Sequence, residues 1–426
     1  MMPDIFMDLL IKELNSISSE VMGIENNLIG LDDDVNKLWI KINASGGFTK
    51  AVAVDGGLQE VKLSNGYSLS MARAIAVNNM GMESIRAVKA SLFPESSPGG
   101  ILTMGMLEVE VALRAINEYG GLRFILMDGS LFAKILEALH IILLGRNIGE
   151  IYAIPEAVNL VNATSKLINE AFKRGVRLLF ISKDNSLRVY KEYLILRRLS
   201  ESKNTRLRDL ANDGLNYYSV TWSRILRARF FKLMKSLSVS EESQLISMLL
   251  NQSVSDSIIL TSSLRRINLN HGMVKPMIIS GGLSPRLSRL TELDLESLIE
   301  KRLNESLIMR GIKPSLDPST LINLPQIALT YVAVSRDDSP ILVEIPIRGG
   351  GFLQRPRIRN PVDVSELIEV SGPIISDYVD PIRYNGLLTL AHVYANFTVN
   401  QLSEYIAMLQ NKLGLRFSRR LGLTIL

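Results

Sequence analysis

Two aspartates carry the first chemical signal in this 426-residue chain. Asp55 closes the apolar run Ala51-Val52-Ala53-Val54 and is followed by Gly56-Gly57. Asp128 closes the apolar segment Arg123–Met127 and is followed by Gly129-Ser130. Runs of this kind read as buried strands. An Asp at the C-terminal end of such a strand lies at the sheet rim, and the glycine after it leaves the approach open. One Asp-Gly by itself is an ordinary turn. Two of them, with a glutamate-bearing helix between, suggest three carboxylates in one place. Such groups repel and raise one another's pKa unless a divalent cation sits among them. A cluster like that can hold two metals about 4 Å apart, one activating a water and one stabilising the leaving oxygen of a phosphodiester.

Composition narrows the metal. The chain has no cysteine, which excludes disulfides, zinc–thiolate sites and cysteine nucleophiles. Its three histidines, His140, His271 and His392, are too few for a multi-histidine centre. Oxygen ligands must dominate, which favours magnesium or manganese. No Walker-type Gly-x-x-x-x-Gly-Lys-Ser/Thr stretch is present, so the chain is not expected to bind ATP itself. The net charge of +5 is unevenly spread. Residues 1–40 hold eight acidic and two basic residues, a net of −6, and residues 173–235 hold sixteen basic and five acidic, a net of +11. The basic stretch is either a phosphate-facing surface or a solvated helical face.

The intervening helix offers two glutamates. Glu108 has Val111, Ala112 and Ala115 at i+3, i+4 and i+7, small residues that let a helix approach a sheet closely. Glu110 shares its face with Arg114 and Asn117, as a solvent-side pair would. Glu108 is preferred, with Glu110 as the alternate. Lys183, after a later strand, is either a phosphate contact or a surface lysine. Trp222, with Tyr217 and Tyr218, lies near Arg224, Arg227 and Arg229. Aromatics interleaved with arginines can stack on unpaired bases, though helix packing accounts for the aromatics equally well. The Asp32-Asp33-Asp34 triplet reads as a solvated cap, and His140 and His271 as structural. His392, on an apolar helix, would by itself be a packed core histidine.

The elements that must position these residues follow from periodicity. Residues 2–38 read as helical, with Phe6, Leu9, Leu10, Leu14 and Ile17 on one side. A short strand ends at Asp55, a second runs over Gln59–Leu63, and Ser64-Asn65-Gly66 turns into a third over Tyr67–Val77. Residues 105–119 form an amphipathic helix ended by Gly120-Gly121. Another strand covers Val176–Ile181. Residues 186–320 read as a basic helical insertion. Strands return at Ile327–Val334 and Ile341–Ile347, Gly349-Gly350-Gly351 reads as a flexible connection, and residues 386–412 as one closing helix. The run from Leu131 to Leu144 is interrupted by Lys134, Glu137 and His140 at helical spacing, so it reads as a buried helix, with no membrane span expected. The N-terminus lacks a signal-peptide pattern, and a cytoplasmic location is expected.

The order strand–Asp, hairpin, strand, glutamate helix, strand–Asp resembles that of RNase H-like nucleases. Within them, Ala-Val-Ala-Val-Asp55-Gly-Gly and Phe-Ile-Leu-Met-Asp128-Gly-Ser-Leu are similar to the two Asp-Gly motifs of the NurA family, and Leu390-Ala391-His392 to its Ala-His pair. Asp55 is followed by Gly-Gly where the family more often has Gly-Ser, and Tyr384-Asn385-Gly386 stands where Gly-Tyr-Pro is more usual. The resemblance implies an α/β fold, an RNase H-like mixed sheet flanked by helices. It divides into an N-terminal helical segment, 1–45, and a nuclease domain, 46–426, with its core at 48–185 and 325–412. It further implies a manganese-dependent nuclease, magnesium being an alternative, acting on single-stranded DNA and 5′→3′ on duplex ends. By the same resemblance the chain forms a homodimer partnered by a hexameric HerA ATPase in DNA end resection. Asp55, the helix glutamate and Asp128 would bind metal, and His392 would complete the site as a ligand or by orienting the attacking water. The alternatives are a non-catalytic DNA-binding or scaffold subunit, against which the intact acidic residues argue, and an integrase-like phosphotransfer enzyme.

Overall fold

A computed structural model describes residues 6–14, 30–183, 185–291, 295–354 and 360–413. Ile17 and much of the N-terminal segment read as helical lie outside the described residues. The chain divides into two units. One comprises residues 1–39, 186–270 and 335–340, and the other comprises 40–185, 271–334 and 341–426.

The larger unit is built on a ten-stranded mixed sheet, among the described residues. Its strands are β1 (Trp39–Lys41), β2 (Ala51–Lys62), β3 (Tyr67–Asn78), β4 (Ile85–Pro94), β5 (Phe124–Asp128), β6 (Arg177–Ser182), β7 (Gly272–Val274), β8 (Met277–Ile279), β9 (Pro325–Ala333) and β10 (Ile341–Gly351). The spatial order is β1-β7-β9-β10-β6-β5-β2-β3-β4, with β8 also on β9. β2, β3 and β4 pair antiparallel in sequence, while β2, β5 and β6 run parallel. A three-stranded meander followed by parallel strands added beside its first member is the RNase H-like core arrangement expected from the motif order.

Its main helices are α1 (Gly99–Glu118), α2 (Leu131–Leu144), α3 (Ile154–Arg174), α4 (Leu295–Arg310), α5 (Ser365–Ser376), α6 (Gly386–Ala395) and α7 (Val399–Leu413). Alternation along a strand sends successive side chains to opposite faces. Ala51 and Ala53 of β2 and Phe124 and Leu126 of β5 therefore share one face, where they pack with Leu367 and Ile374 of α5 and Leu388 and Ala391 of α6. Helices α1 and α3 pack on each other, and α1 also lies against β2, β3 and β4.

Several elements differ from their sequence reading. The two strands read over 51–54 and 59–63 are one twelve-residue strand, because antiparallel pairing with β3 continues from Val52↔Asn78 to Lys62↔Ser68 without a break. Strand β4, an edge strand with alternating exposure, was missed; Val88, Ala90 and Leu92 are exposed while Lys89 and Ser91 lie on the half-buried side, which inverts the usual pattern. The stretch read as wholly helical contains β7 and β8, each three residues long and too short to show a period. Gly349-Gly350-Gly351 belongs to the end of β10. The closing helix is two helices. Arg73 of β3 takes the carbonyls of Ala395 and Asn396, ending α6 before α7 begins.

The smaller unit, among the described residues, is helical. Asp256, fully buried, accepts from the main-chain N–H groups of Val189 and Lys191, both at 2.8 Å, and burial pushes its carboxyl up to about 6. Glu192 accepts from Ser219 Oγ at 2.8 Å and Val220 N–H at 3.0 Å. The Asp32-Asp33-Asp34 triplet opens the helix Asp32–Leu38, with Asp32 bound to Arg266 and Asp34 to Lys37. Among the described residues, no helix is long and apolar enough to cross a membrane.

Helix α2, which follows Asp128, is held at both ends. Ser130 caps its start by accepting from Ala133 N–H. Glu344 of β10, fully buried, accepts from Ser130 Oγ at 2.9 Å and Phe132 N–H at 3.1 Å. Arg302 of α4 donates to the last-turn carbonyls of Ile141 and Ile142. Burial pushes the Glu344 carboxyl up to about 7, against a usual 4.5. Above the ordinary carboxylate range the unfolded chain has released this proton while the native state keeps it. Stability must therefore fall as pH rises from about 4.5 to about 7, at a cost on the order of 3 kcal/mol. Glu344→Gln mimics the protonated carboxyl, keeping one acceptor oxygen for Phe132 N–H with its amide turned to Ser130 Oγ, and removes the titration, so its stability should gain on wild type through that window. Melting temperatures from about pH 4 to about pH 8 check this; parallel curves would refute it.

Candidate metal centre

Register brings the two aspartates together. The parallel pairing of β2 with β5 ends at Val54↔Met127, so Asp55 and Asp128 follow side by side on one face. Asp55 is the fifth residue of a longer strand, and the rim it occupies is made by the end of β5. The two glycines after it make room rather than a turn. A Cβ on Gly56 would stand 2.7 Å from Oε1 of Glu108, and one on Gly57 would stand 2.0 Å from the Ala395 carbonyl oxygen. Gly56 thus admits α1 on one face of the sheet, and Gly57 admits α6 on the other.

The close approach of α6 delivers His392. Its Nδ1 lies 2.8 Å from Asp55 Oδ2, and its Nε2 lies 2.6 Å from the side-chain amide nitrogen of Asn396. The contacts match a ring that donates from Nδ1 to Asp55 and accepts from Asn396 at Nε2. His392 can coordinate a metal only by releasing one of these partners. Asn385 caps α6 by accepting from Leu387 and Leu388 N–H, and Tyr384 just before it donates its phenol to Asp128 Oδ1. Lys183 lies 5.2 Å from the centre of the Tyr384 ring.

From the opposite face, α1 contributes Glu108, which is 3% exposed and ion-paired with Lys134 Nζ. Lys134 also donates to the Asp128 carbonyl at 3.0 Å. Burial pushes the Glu108 carboxyl up; Lys134 opposes that shift, while the charges of Asp55 and Asp128 add to it. Asp55 is raised mainly by burial and next by the charge of Asp128. Glu110 is exposed on the far side of α1.

Among the described residues, the one group of acidic and histidine side chains that could hold a metal ion is Asp55, Asp128 and His392, whose ligand atoms lie within 4.8 Å of one another. Two hard carboxylates and one imidazole suit a divalent ion such as manganese or magnesium. The repulsion that raises Asp55 is charge that such an ion would relieve. Glu108 stands beside the group in its ion pair with Lys134. Arg224, Arg227, Arg229 and Trp222 lie in the helical unit; Arg224 and Arg229 are exposed, Arg227 and Trp222 half-buried. Two residues at the centre were missed as participants. Tyr384 was noticed only as a departure from a family motif, and Lys134 only as an interruption of an apolar run. A lysine in the first turn of a helix, where the helix dipole disfavours it, was the available signal.

The NurA domain family model matches residues 49–355. A solved NurA nuclease from Sulfolobus solfataricus is 16% identical, covers 95% of this chain and 97% of its own, and aligns with a TM-score of 0.53. A NurA structure bound to dAMP and manganese is 14% identical, covers 96% of this chain and 97% of its own, and has a TM-score of 0.41. No curated protein sequence matches.

Gly57 offers a direct check of how the centre is assembled. Gly57→Ala should push α6 off β2 and lower stability by about 1–3 kcal/mol. Gly46→Ala, where a Cβ meets nothing within 4 Å, should change little. Denaturant unfolding of both variants measures the difference, and equal stabilities would mean that α6 accommodates the methyl group.

Proposed function

The chain belongs to the NurA family, and from that premise we propose that it is a metal-dependent DNA nuclease with its centre at Asp55, Asp128, His392 and Glu108. The observation that carries this reading is the donor set itself, a buried carboxylate, a half-buried one and an exposed imidazole from three separate elements converging at the end of β5. Asp55, Asp128 and His392 would hold a manganese or magnesium ion, with Glu108 available from the opposite face. The ion supplies Lewis acidity to the phosphodiester and to the attacking water.

The remaining work falls to the chain's own groups. The Tyr384 phenol aims the Asp128 carboxylate. His392, held by Asn396, is placed to orient the water or accept its proton. Lys183, beside Tyr384, is available to a phosphate oxygen. In the helical unit, Arg224, Arg227 and Arg229 with Trp222 would bind the strand by phosphate contacts and stacking. Single-stranded DNA and duplex ends are the proposed substrates, with 5′→3′ exonuclease and single-strand endonuclease action. A homodimer working with a hexameric HerA-like ATPase in end resection completes the reading, on family resemblance alone.

Asp55→Ala and Asp128→Ala should each abolish manganese-dependent degradation of end-labelled single-stranded DNA while circular dichroism stays native. Full activity in either would remove the proposed centre. Glu108→Ala should be similarly inactive and Glu110→Ala active. Neutralising Arg224, Arg227 and Arg229 together should weaken DNA binding several-fold and reduce the slope of log K against log salt by up to about 3. An unchanged slope in a filter-binding titration would return these arginines to a solvated helical face.

A further inference from the structure

Lys134 is an unexpected residue where it stands. It occupies the first turn of α2, where the helix dipole makes a cation unfavourable. Its side chain is only 22% exposed. Its ammonium is committed to two acceptors, the Glu108 carboxylate and the Asp128 main-chain oxygen. Glu344 and Ser130 fix the turn from which it projects. A lysine held this way against its helix dipole is doing something for the carboxylates rather than for α2.

We propose that Lys134 is an internal counter-cation that a divalent metal must displace from Glu108, so that it lowers the metal affinity of the centre while holding the Glu108 carboxylate in place. This rests on reading Asp55, Asp128 and His392 as a metal centre. Three carboxylates and one ammonium carry a net charge near −2, which one divalent ion neutralises. Without the ammonium the same carboxylates attract the ion more strongly. In the metal-free state the ammonium occupies Glu108, and on loading Glu108 turns to the ion. The freed ammonium is then the nearest positive charge for a bound phosphate. Lys134 is therefore a positioning residue acting through Glu108. A purely structural lysine predicts the opposite sign, since its loss would loosen the site and weaken metal binding.

The test is calorimetric titration of the full chain with manganese at about pH 8, where carboxylates of ordinary pKa are ionised. Wild type should bind stoichiometrically, and Asp55→Asn should abolish that binding. Lys134→Gln should bind manganese roughly tenfold more tightly yet degrade DNA more slowly. Lys134→Arg, which keeps the charge, should bind as wild type does, and it supplies a second readout if the glutamine variant fails to fold. Equal or weaker binding in Lys134→Gln, or tighter binding in Lys134→Arg, overturns the displacement while leaving the metal centre standing. No binding by wild type would overturn the metal centre itself.

Discussion

The structure depends on one electrostatic constraint, two carboxylates placed side by side on adjacent parallel strands and partly removed from water. The β2–β5 register puts Asp55 next to Asp128, and burial with mutual repulsion raises the Asp55 carboxyl. Such a pair costs stability unless neighbours or an ion compensate. The surroundings read as that compensation. His392 answers Asp55, Tyr384 answers Asp128, and Lys134 answers Glu108. They arrive from α6, from the residue just before its cap and from α2, so the sheet, the helices on both faces and the glycines between them are tied to a single cluster of charge.

The aspartates, His392 and Tyr384 lie on the face covered by α6, whereas Glu108 and Lys134 come from α1 and α2. They meet only because β5 stops at Asp128 while β2 continues, leaving an open place in the sheet. The clamped position of α2 matters for the same reason. A helix capped by Ser130 and Glu344 at its start and held by Arg302 at its end gives the Asp128-Gly129-Ser130 turn little freedom. Precision at the carboxylates is drawn from buried polar contacts several residues away, where an unsatisfied partner would be costly.

What was legible in the sequence follows from this arrangement. Apolar runs ending in Asp-Gly revealed both aspartates, because a strand's local pattern survives without knowledge of its partners. Helical spacing separated Glu108 from Glu110, since small residues beside Glu108 mark a face that packs closely. Longer-range facts left little trace. Gly56 and Gly57 looked like a turn, because nothing local distinguishes a turn glycine from one that makes room for a helix, which for Gly57 is more than 300 residues along the chain. Strand β4 was lost because at this edge the apolar Val88, Ala90 and Leu92 face out and Lys89 and Ser91 face in, so no polar-out alternation marks it. Glu344, a lone charge in the apolar run Ile341–Ile347, acquires its meaning only from the start of α2, more than 200 residues earlier.

The division into two units sharpens the electrostatic problem. The cluster is acidic, and a nucleic-acid backbone is a polyanion, so the metal-free centre would repel the phosphates it is proposed to cleave. The proposed order of events follows from that repulsion. Cation binding must come first, or positive charge must be supplied from elsewhere in the chain. Lys134 is engaged with Glu108 at the centre, while Lys183 lies over the Tyr384 ring and donates to the Ile382 carbonyl. The larger reserve of positive charge is in residues 173–235, most of it in the helical unit. A chain that concentrated its basic residues around the carboxylates would neutralise them and lose its ion. Twelve of the sixteen basic residues in 173–235 belong to the helical unit, and the carboxylate group itself keeps the net negative charge that would hold an ion.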